Sequence, residues 1–211
     1  YELGFREEHG NFQQDNFDRG GLGGDPVRVE VHDPAVRNNA NFSPRPEGEQ
    51  PRLQVGLWTP RAGLATDAAY SGPVVFHEYA HGVSGRLAGG PETVNCLTQV
   101  QGGALGEAWS DYFAASYFDN PVFGDYVVGD RERGIRRAAL DRNPRGFGDL
   151  GDPRFAVHPD GEIFSAALWE IRGALGKQAA DRLILDSLQL LACRPTFIDA
   201  REAILTADGG A

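Results

Sequence analysis

The chain has 211 residues, of which 41% are hydrophobic, and this is enough to bury a substantial core in one domain or in two lobes that share one. It carries 30 acidic and 20 basic residues, a net charge of -10, with no basic cluster long enough to follow a phosphate backbone. We therefore expect neither nucleic acid nor an anionic membrane surface as a partner. No apolar run approaches the roughly 20 residues that span a bilayer, so we also expect no membrane insertion.

The first third of the chain has the composition of strands and loops. It is rich in Gly, Pro, Asn and Asp, and the runs 27–31 and 53–58 have the alternation typical of short β-strands. The glycine-rich stretch 20–24 is not followed by a helix, so it predicts a flexible loop rather than a phosphate-binding site. We expect residues 1–70 to form a strand- and loop-rich subdomain that supplies one wall of a cleft.

Beyond residue 71 the pattern of apolar residues changes to the period of α-helices. The predicted helices are 72–88, 103–119, 161–175, 178–192 and 196–207. Thr196 is the expected N-cap of the last helix, and Gly209-Gly210 are expected to end it. The sequence therefore predicts an α+β fold in which residues 71–211 form a helical subdomain.

The first predicted helix carries a metal-binding pattern, because residues 77–81 read His-Glu-Tyr-Ala-His. Residues four apart on a helix lie on one face, so His77 and His81 can direct their imidazoles at one point. Glu107 follows 26 positions later, in the second predicted helix. Two neutral imidazoles and a carboxylate leave the fourth position of a tetrahedral Zn²⁺ open for water, which is typical of catalytic zinc.

Two acidic residues can support that site. Glu78 lies about 100° around the helix from His77, near enough to reach the water but not the metal, and is the candidate general base. Asp111 lies four residues after Glu107, so it faces the same way about 6 Å further along. A metal-bound histidine usually donates its other ring N–H to a carboxylate, and Asp111 is the expected acceptor for one of the two.

Three other features leave alternatives open. His158 precedes Pro-Asp-Gly, a predicted turn, so it is either a surface histidine or one that projects into a cleft. Cys96 and Cys193 form either a disulfide, which secretion would favour, or two free thiols. The acidic turn 149–152 is a candidate Ca²⁺ site, although it lacks the regular ligand spacing of a calcium loop.

At this point the residues resemble the fungalysin family of zinc metallopeptidases, which is more distantly similar to thermolysin. The resemblance covers essentially the whole chain, in ordered segments at 1–5, 10–13, 38–42, 77–90, 103–113, 157–162 and 193–205. It implies a thermolysin-like zincin fold with His77, His81 and Glu107 as zinc ligands. It also implies Glu78 as general base and proton shuttle, with Asp111 as the partner behind the ligands.

The same resemblance assigns substrate contacts. His158 aligns with the histidine that steadies the oxyanion in thermolysin-like enzymes. Asn39 and Ala40 lie in a stretch that resembles the edge segment that pairs with the substrate backbone, so a peptide would add to the sheet as an extra strand. No tyrosine lies between Gly82 and Gly106 to match the one that assists the oxyanion in thermolysin. We therefore expect the activity to depend strongly on His158.

The function that the resemblance implies is that of a secreted, extracellular zinc metalloendopeptidase. It would use one catalytic Zn²⁺, act on polypeptide substrates with an apolar pocket after the cleaved bond, and carry an inhibitory pro-segment in its precursor. Because the chain is shorter than a fungalysin catalytic unit, the main alternative is a zinc-binding but inactive or truncated peptidase that acts as a peptide-binding module. A second alternative is zinc-dependent hydrolysis of an ester or a non-peptide amide.

Overall fold

The computed structural model describes residues 1–59, 63 and 65–209, and its fold is α+β, with the strands preceding the long helices. The strands are β1 (Arg28–Val31), β2 (Ala40–Ser43), β3 (Arg52–Val55), β4 (Leu57–Trp58) and β5 (Thr66–Asp67). The helices are α1 (Gly72–Leu87), α2 (Val100–Phe118), α3 (Asp125–Val128), α4 (Val157–Leu175), α5 (Lys177–Gln189) and α6 (Phe197–Ala207). Within these residues, we find no helix with both the length and the apolar character needed to cross a bilayer.

The sheet has the strand order β1-β3-β2, with β1 parallel and β2 antiparallel to β3. The prediction of one strand over 53–58 is wrong, because β3 and β4 belong to different sheets and separate at Gly56. A Cβ atom at Gly56 would lie 1.9 Å from the carbonyl oxygen of Val36, an approach that only glycine permits. The pattern of apolar residues did not predict strand β2 (Ala40–Ser43), although the resemblance implied an edge segment at Asn39 and Ala40.

Most helix predictions agree with the structure. Helices α1 and α6 match within one residue, whereas α2 begins three residues earlier and α5 ends three residues earlier than predicted. The Thr196 side chain accepts a hydrogen bond from the backbone N–H of Asp199, whose carboxylate accepts the N–H of Thr196 at 2.8 Å. This reciprocal cap confirms the predicted start of α6. The helix ends at Ala207, and Gly210 of the predicted stop lies outside the described residues.

The start of α4 corrects the prediction around His158, which lies inside the first helical turn and not on a preceding turn. Pro159 is tolerated there because the first N–H groups of a helix have no partner within the helix. The carboxylate of Asp160 accepts the backbone N–H groups of Ala156 at 2.8 Å and Gly151 at 3.0 Å. These bonds hold the loop before α4 against the helix that carries His158.

Two hydrophobic clusters place the strands and helices around a common cleft. The larger cluster joins the helices and contains Leu105, Trp109, Tyr112, Leu168, Ile184 and Leu188. The smaller cluster joins the sheet to α1 and α2 and contains Leu53, Val55, Val74, Ala114 and Phe123. Cys96 and Cys193 form a disulfide, which ties the loop before α2 to the loop before α6. The division of the chain near residue 70 stays a prediction.

Candidate metal centre

Three side chains from α1 and α2 converge with the separations that a tetrahedral ion requires. The Nε2 atoms of His77 and His81 are 3.1 Å apart. Glu107 places Oε2 3.4 Å from the Nε2 of His77, and Oε1 3.5 Å from that of His81. Metal–ligand bonds of about 2.0–2.1 Å put the corners of a tetrahedron about 3.3–3.4 Å apart. The three residues therefore fit three corners of a zinc site.

Glycine contacts bring the backbones around Glu107 close together. A Cβ at Gly161, on α4, would lie 2.6 Å from the carbonyl oxygen of Ala104 and 3.0 Å from the Cβ of Glu107. A Cβ at Gly106 would meet the His81 ring only in ordinary contact, at 3.7 Å. Helix α4 thus packs directly behind the carboxylate ligand, and only a residue without a side chain fits at that contact.

The electrostatics of the centre favour a cation. Burial opposes a charge on His77, but Asp111 and Glu107 outweigh it and raise the pKa of His77 to about 10. Asp111 Oδ1 lies 2.9 Å from the Nδ1 atom of His77, the ring nitrogen that faces away from the ligand atoms. Burial also opposes ionisation of Glu107, but His77 and His81 hold the pKa of that carboxyl well below its usual range. The two carboxylates therefore supply negative potential at the ligand atoms.

Arg136 is a member of the centre that sequence reasoning missed. Its guanidinium donates to both carboxylate oxygens of Asp111 at 2.7 Å and to Glu107 Oε2 at 3.1 Å, and 6% of the side chain is exposed. This bidentate pair orients Asp111 behind His77. Arg136 comes from an irregular segment between α3 and α4, where no periodicity predicts which way a side chain points. Its only sequence signal was membership of an arginine-rich run.

Glu78 and His158 both line the cavity that contains the ligands. Glu78 is buried beside the cleft, and this burial raises the pKa of its carboxyl. The Nε2 atom of His158 lies 3.4 Å from Glu107 Oε1, although 58% of the His158 side chain remains exposed at the cleft mouth. Desolvation on the side of the ring that faces the site lowers the pKa of His158. The first turn of α4 thus places His158 at the metal centre. Its position in the sequence alone had left that placement open.

The centre opens onto a cavity of about 1070 Å³ that is bordered by Asn39 and Ala40. The backbone N–H of Gly56 donates to the carbonyl of Asn39 at 3.2 Å, so the Asn39 carbonyl faces β3. Backbone groups of consecutive strand residues point to opposite edges, so those of Ala40 face away from β3. Within the described residues β2 is an edge strand, and its outer edge borders the cleft.

Other metal sites find less support. Across residues 1–59, 63 and 65–209, the group of three close His, Cys, Asp or Glu ligands is His77, His81 and Glu107, within 4.8 Å of one another. The acidic turn 149–152 is not part of such a group. Calcium binding at that turn stays a prediction.

A comparison with known families decides the relationship. A sequence profile described as fungalysin metallopeptidase matches residues 1–211. The chain belongs to the fungalysin family. This membership confirms the resemblance drawn from the ordered segments, and the α+β architecture agrees with the thermolysin-like fold that it implies.

Curated fungalysin relatives come from fungi. An "Extracellular metalloproteinase MEP" of Leptosphaeria maculans is 35% identical over 240 residues, which cover 98% of this chain and 37% of that protein. An "Extracellular metalloproteinase 4" of Trichophyton soudanense is 36% identical over 243 residues, covering 99% of this chain and 61% of the relative. The chain therefore spans between about two fifths and three fifths of the length of these relatives.

Proposed function

We propose that this chain carries the catalytic centre of a zinc metalloendopeptidase, which hydrolyses peptide bonds with a zinc-activated water. The observation that carries the proposal is the convergence of His77, His81 and Glu107: the two Nε2 atoms are 3.1 Å apart, and the carboxylate oxygens of Glu107 lie 3.4 Å from one and 3.5 Å from the other. These ligand atoms face a cleft large enough for an extended peptide. Residues 1–70 would form one wall of the cleft, and residues 71–211 would carry the zinc.

Each residue of the centre has a separate task in holding the ion. His77 and His81 would bind it through Nε2, and Glu107 would bind it through its carboxylate. Asp111, whose Oδ1 lies 2.9 Å from Nδ1 of His77, would accept the proton on that nitrogen and leave Nε2 as the free lone pair. Arg136 fixes Asp111 and restrains the second oxygen of Glu107. These contacts orient the ligands before the ion arrives, which reduces the cost of ordering them on binding.

The chain's own groups then handle protons and charge. When bound, zinc lowers the pKa of a water ligand toward about 7 and polarises the substrate carbonyl. The Glu78 carboxylate accepts a proton from that water and passes it to the departing amine nitrogen, a task suited to a carboxyl whose pKa is raised by burial. His158 donates an Nε2 hydrogen bond to the oxygen that gains negative charge in the tetrahedral intermediate.

Substrate would bind as an added strand. The outward N–H and C=O of Ala40 are available to an extended peptide, and the Asn39 side chain lies beside it in the cleft. Val74, Phe123 and Ile135 line the same cavity and form an apolar surface for a substrate side chain. Because its relatives are named extracellular metalloproteinases, we propose that this protein is also secreted, with a pro-segment in its precursor.

The test measures peptide hydrolysis and metal content together. Casein is incubated with the parent protein, with Glu78→Gln, and with Glu170→Gln, whose side chain is exposed on α4. We expect Glu78→Gln to abolish turnover with unchanged zinc by elemental analysis, and Glu170→Gln to behave as the parent does. Zinc binding without turnover in the parent would favour a peptide-binding module. Turnover of ester substrates alone would favour a non-peptide hydrolase.

A further inference from the structure

Two exposed arginines line one end of the cleft, although the chain carries a net charge of -10. The acidic residues that line the cavity are all shielded from solvent, with exposures of 7% for Glu78, 13% for the Glu107 side chain and 5% for Glu162. By contrast, Arg133 and Arg137 line the same cavity and are exposed, Arg133 by 56% of its side chain. We call these two residues the arginine rim.

The arginine rim differs from its buried neighbour Arg136 because carboxylates of the protein neutralise its guanidinium charges less completely. The guanidinium of Arg136 is already neutralised by Asp111 and Glu107. The guanidinium of Arg137 has no carboxylate within 4.0 Å among the residues that the structure describes. Among the described residues Arg133 forms its ion pair with Asp130, and the side chains are 56% and 28% exposed, so water competes for that contact. The guanidinium of Arg137 therefore keeps an unneutralised positive charge at this end of the cleft, and that of Arg133 is only partly neutralised.

The backbone segment that carries the arginine rim is hydrogen-bonded to residues beside the proposed catalytic centre. Both carboxylate oxygens of Glu162 lie 3.3 Å from the backbone N–H of Arg137, which donates to them. The adjacent Arg136 is fixed by its bonds to Asp111 and Glu107. Arg137 thus directly follows Arg136, whose guanidinium contacts the proposed metal ligand Glu107. Extended chain advances about 3.3 Å per residue, so we expect a rim contact to fall roughly two or three substrate residues from the cleaved bond.

We propose that the arginine rim selects polypeptides with Asp or Glu at a position about two or three residues from the cleaved bond. This inference rests on the proposed peptidase function. The negative surface elsewhere on the protein repels an acidic segment, so the rim is the place where such a segment gains attraction. Two isolated arginines suit single carboxylates on a peptide, whereas a nucleic acid needs a longer basic track.

The experiment uses matched pairs of fluorogenic peptides with an apolar residue after the cleaved bond and either Glu or Gln at the second or third residue on either side. We expect the zinc-loaded parent to cleave the preferred Glu peptide with a kcat/KM about five-fold above its Gln partner at low ionic strength. In Arg133→Gln/Arg137→Gln that ratio falls toward one. In Arg131→Gln, which removes one positive charge from an exposed residue outside the cavity lining, it stays near the parent value.

A second readout does not depend on turnover. In a Glu78→Gln background, fluorescence anisotropy gives dissociation constants for the same labelled Glu and Gln peptides, and we expect 0.5 M NaCl to remove most of their difference. Equal kcat/KM for every Glu and Gln pair overturns the arginine rim while leaving the peptidase function standing. An equal loss of selectivity in Arg131→Gln also overturns it, because the effect would then belong to the overall field. Cleavage of no peptide overturns the peptidase function and this inference with it.

Discussion

Helix α1 carries two buried charged centres about 13 Å apart along its axis, and they differ in how they are completed. Toward the end of the helix, Arg86 is 2% exposed and Asp25 is 0% exposed. The guanidinium of Arg86 donates to one carboxylate and three backbone carbonyls, at 2.9–3.1 Å, and these belong to Asp25, Gly10, Arg45 and Pro46. Every partner is a group of the chain itself.

In the middle of α1, His77 and His81 face Glu107 across a centre that opens to the cleft. Here the Nε2 atoms of the two histidines lie 3.1 Å apart and 3.4–3.5 Å from the oxygens of Glu107, and the Arg136 guanidinium contacts Glu107 and Asp111 from the outer side. The first centre is saturated and therefore structural. The second centre brings acceptor atoms together without supplying a donor for each of them. A bound ligand is therefore needed for its full stability. The comparison teaches that saturation, not burial, separates a structural ion pair from a binding site.

Breaking the saturated Arg86–Asp25 centre should have the largest effect on stability. Arg86→Met leaves Asp25 buried without its cation, and losing one partner of a buried pair costs about 3–5 kcal/mol of unfolding free energy. Urea unfolding measures the change. The control, Arg201→Met, removes an arginine whose side chain is 63% exposed and should change stability by no more than about 0.5 kcal/mol. Similar small losses of unfolding free energy in both variants would contradict the assignment of the Arg86–Asp25 centre as structural.

Removing zinc should produce the next largest effect. At free zinc 100 times its dissociation constant, binding adds about 2.7 kcal/mol to the unfolding free energy, which a chelator removes. Thermal unfolding with zinc or with EDTA measures this increment. His77→Ala/His81→Ala should show no increment, while Arg86→Met, if it folds, should keep it. An equal response to EDTA in the double histidine variant would place the ion elsewhere.

Substitutions of two glycines in α4 should give a direct comparison, because Gly161 contacts the α2 backbone behind Glu107 and Gly173 does not. Gly161→Ala drives a methyl group into the α2 backbone, so we expect a loss of about 2 kcal/mol in stability and weaker zinc binding. Gly173→Ala lies on the same helix with nothing within 4 Å of the added carbon, so it should gain up to about 1 kcal/mol from helix propensity. Chemical denaturation and zinc titration measure both. Effects of the same sign would show that the contact does not constrain Glu107.

The smallest expected effect comes from the carboxylate behind His77. Asp111→Asn keeps the shape of the side chain but weakens the orientation of the histidine, and such changes cost 10-fold or more in metal affinity, or about 1.4 kcal/mol. Competition with a chromogenic chelator measures the dissociation constant. Asp186→Asn, on the exposed face of α5, is the matched control. Unchanged zinc affinity in Asp111→Asn would remove Asp111 from the centre.

Local signals predicted much of the fold. The start of α6 followed from Thr196, because an N-cap acts on backbone groups only two or three residues away. The break at Gly56 was missed, because the alternation of apolar residues continues through it and only the distant Val36 carbonyl demands a glycine there. The start of α4 was also missed, because Pro and Gly near His158 read as a turn until the bonds of Asp160 are known.

The sequence by itself determined that His77, Glu78 and His81 share one turn of a helix, because hydrogen bonds between neighbouring backbone groups set that geometry. Only the tertiary structure decided that Glu107 and Arg136 meet them. The distance between α1, α2 and the segment before α4 depends on packing among residues far apart in the chain, and no local pattern encodes that distance.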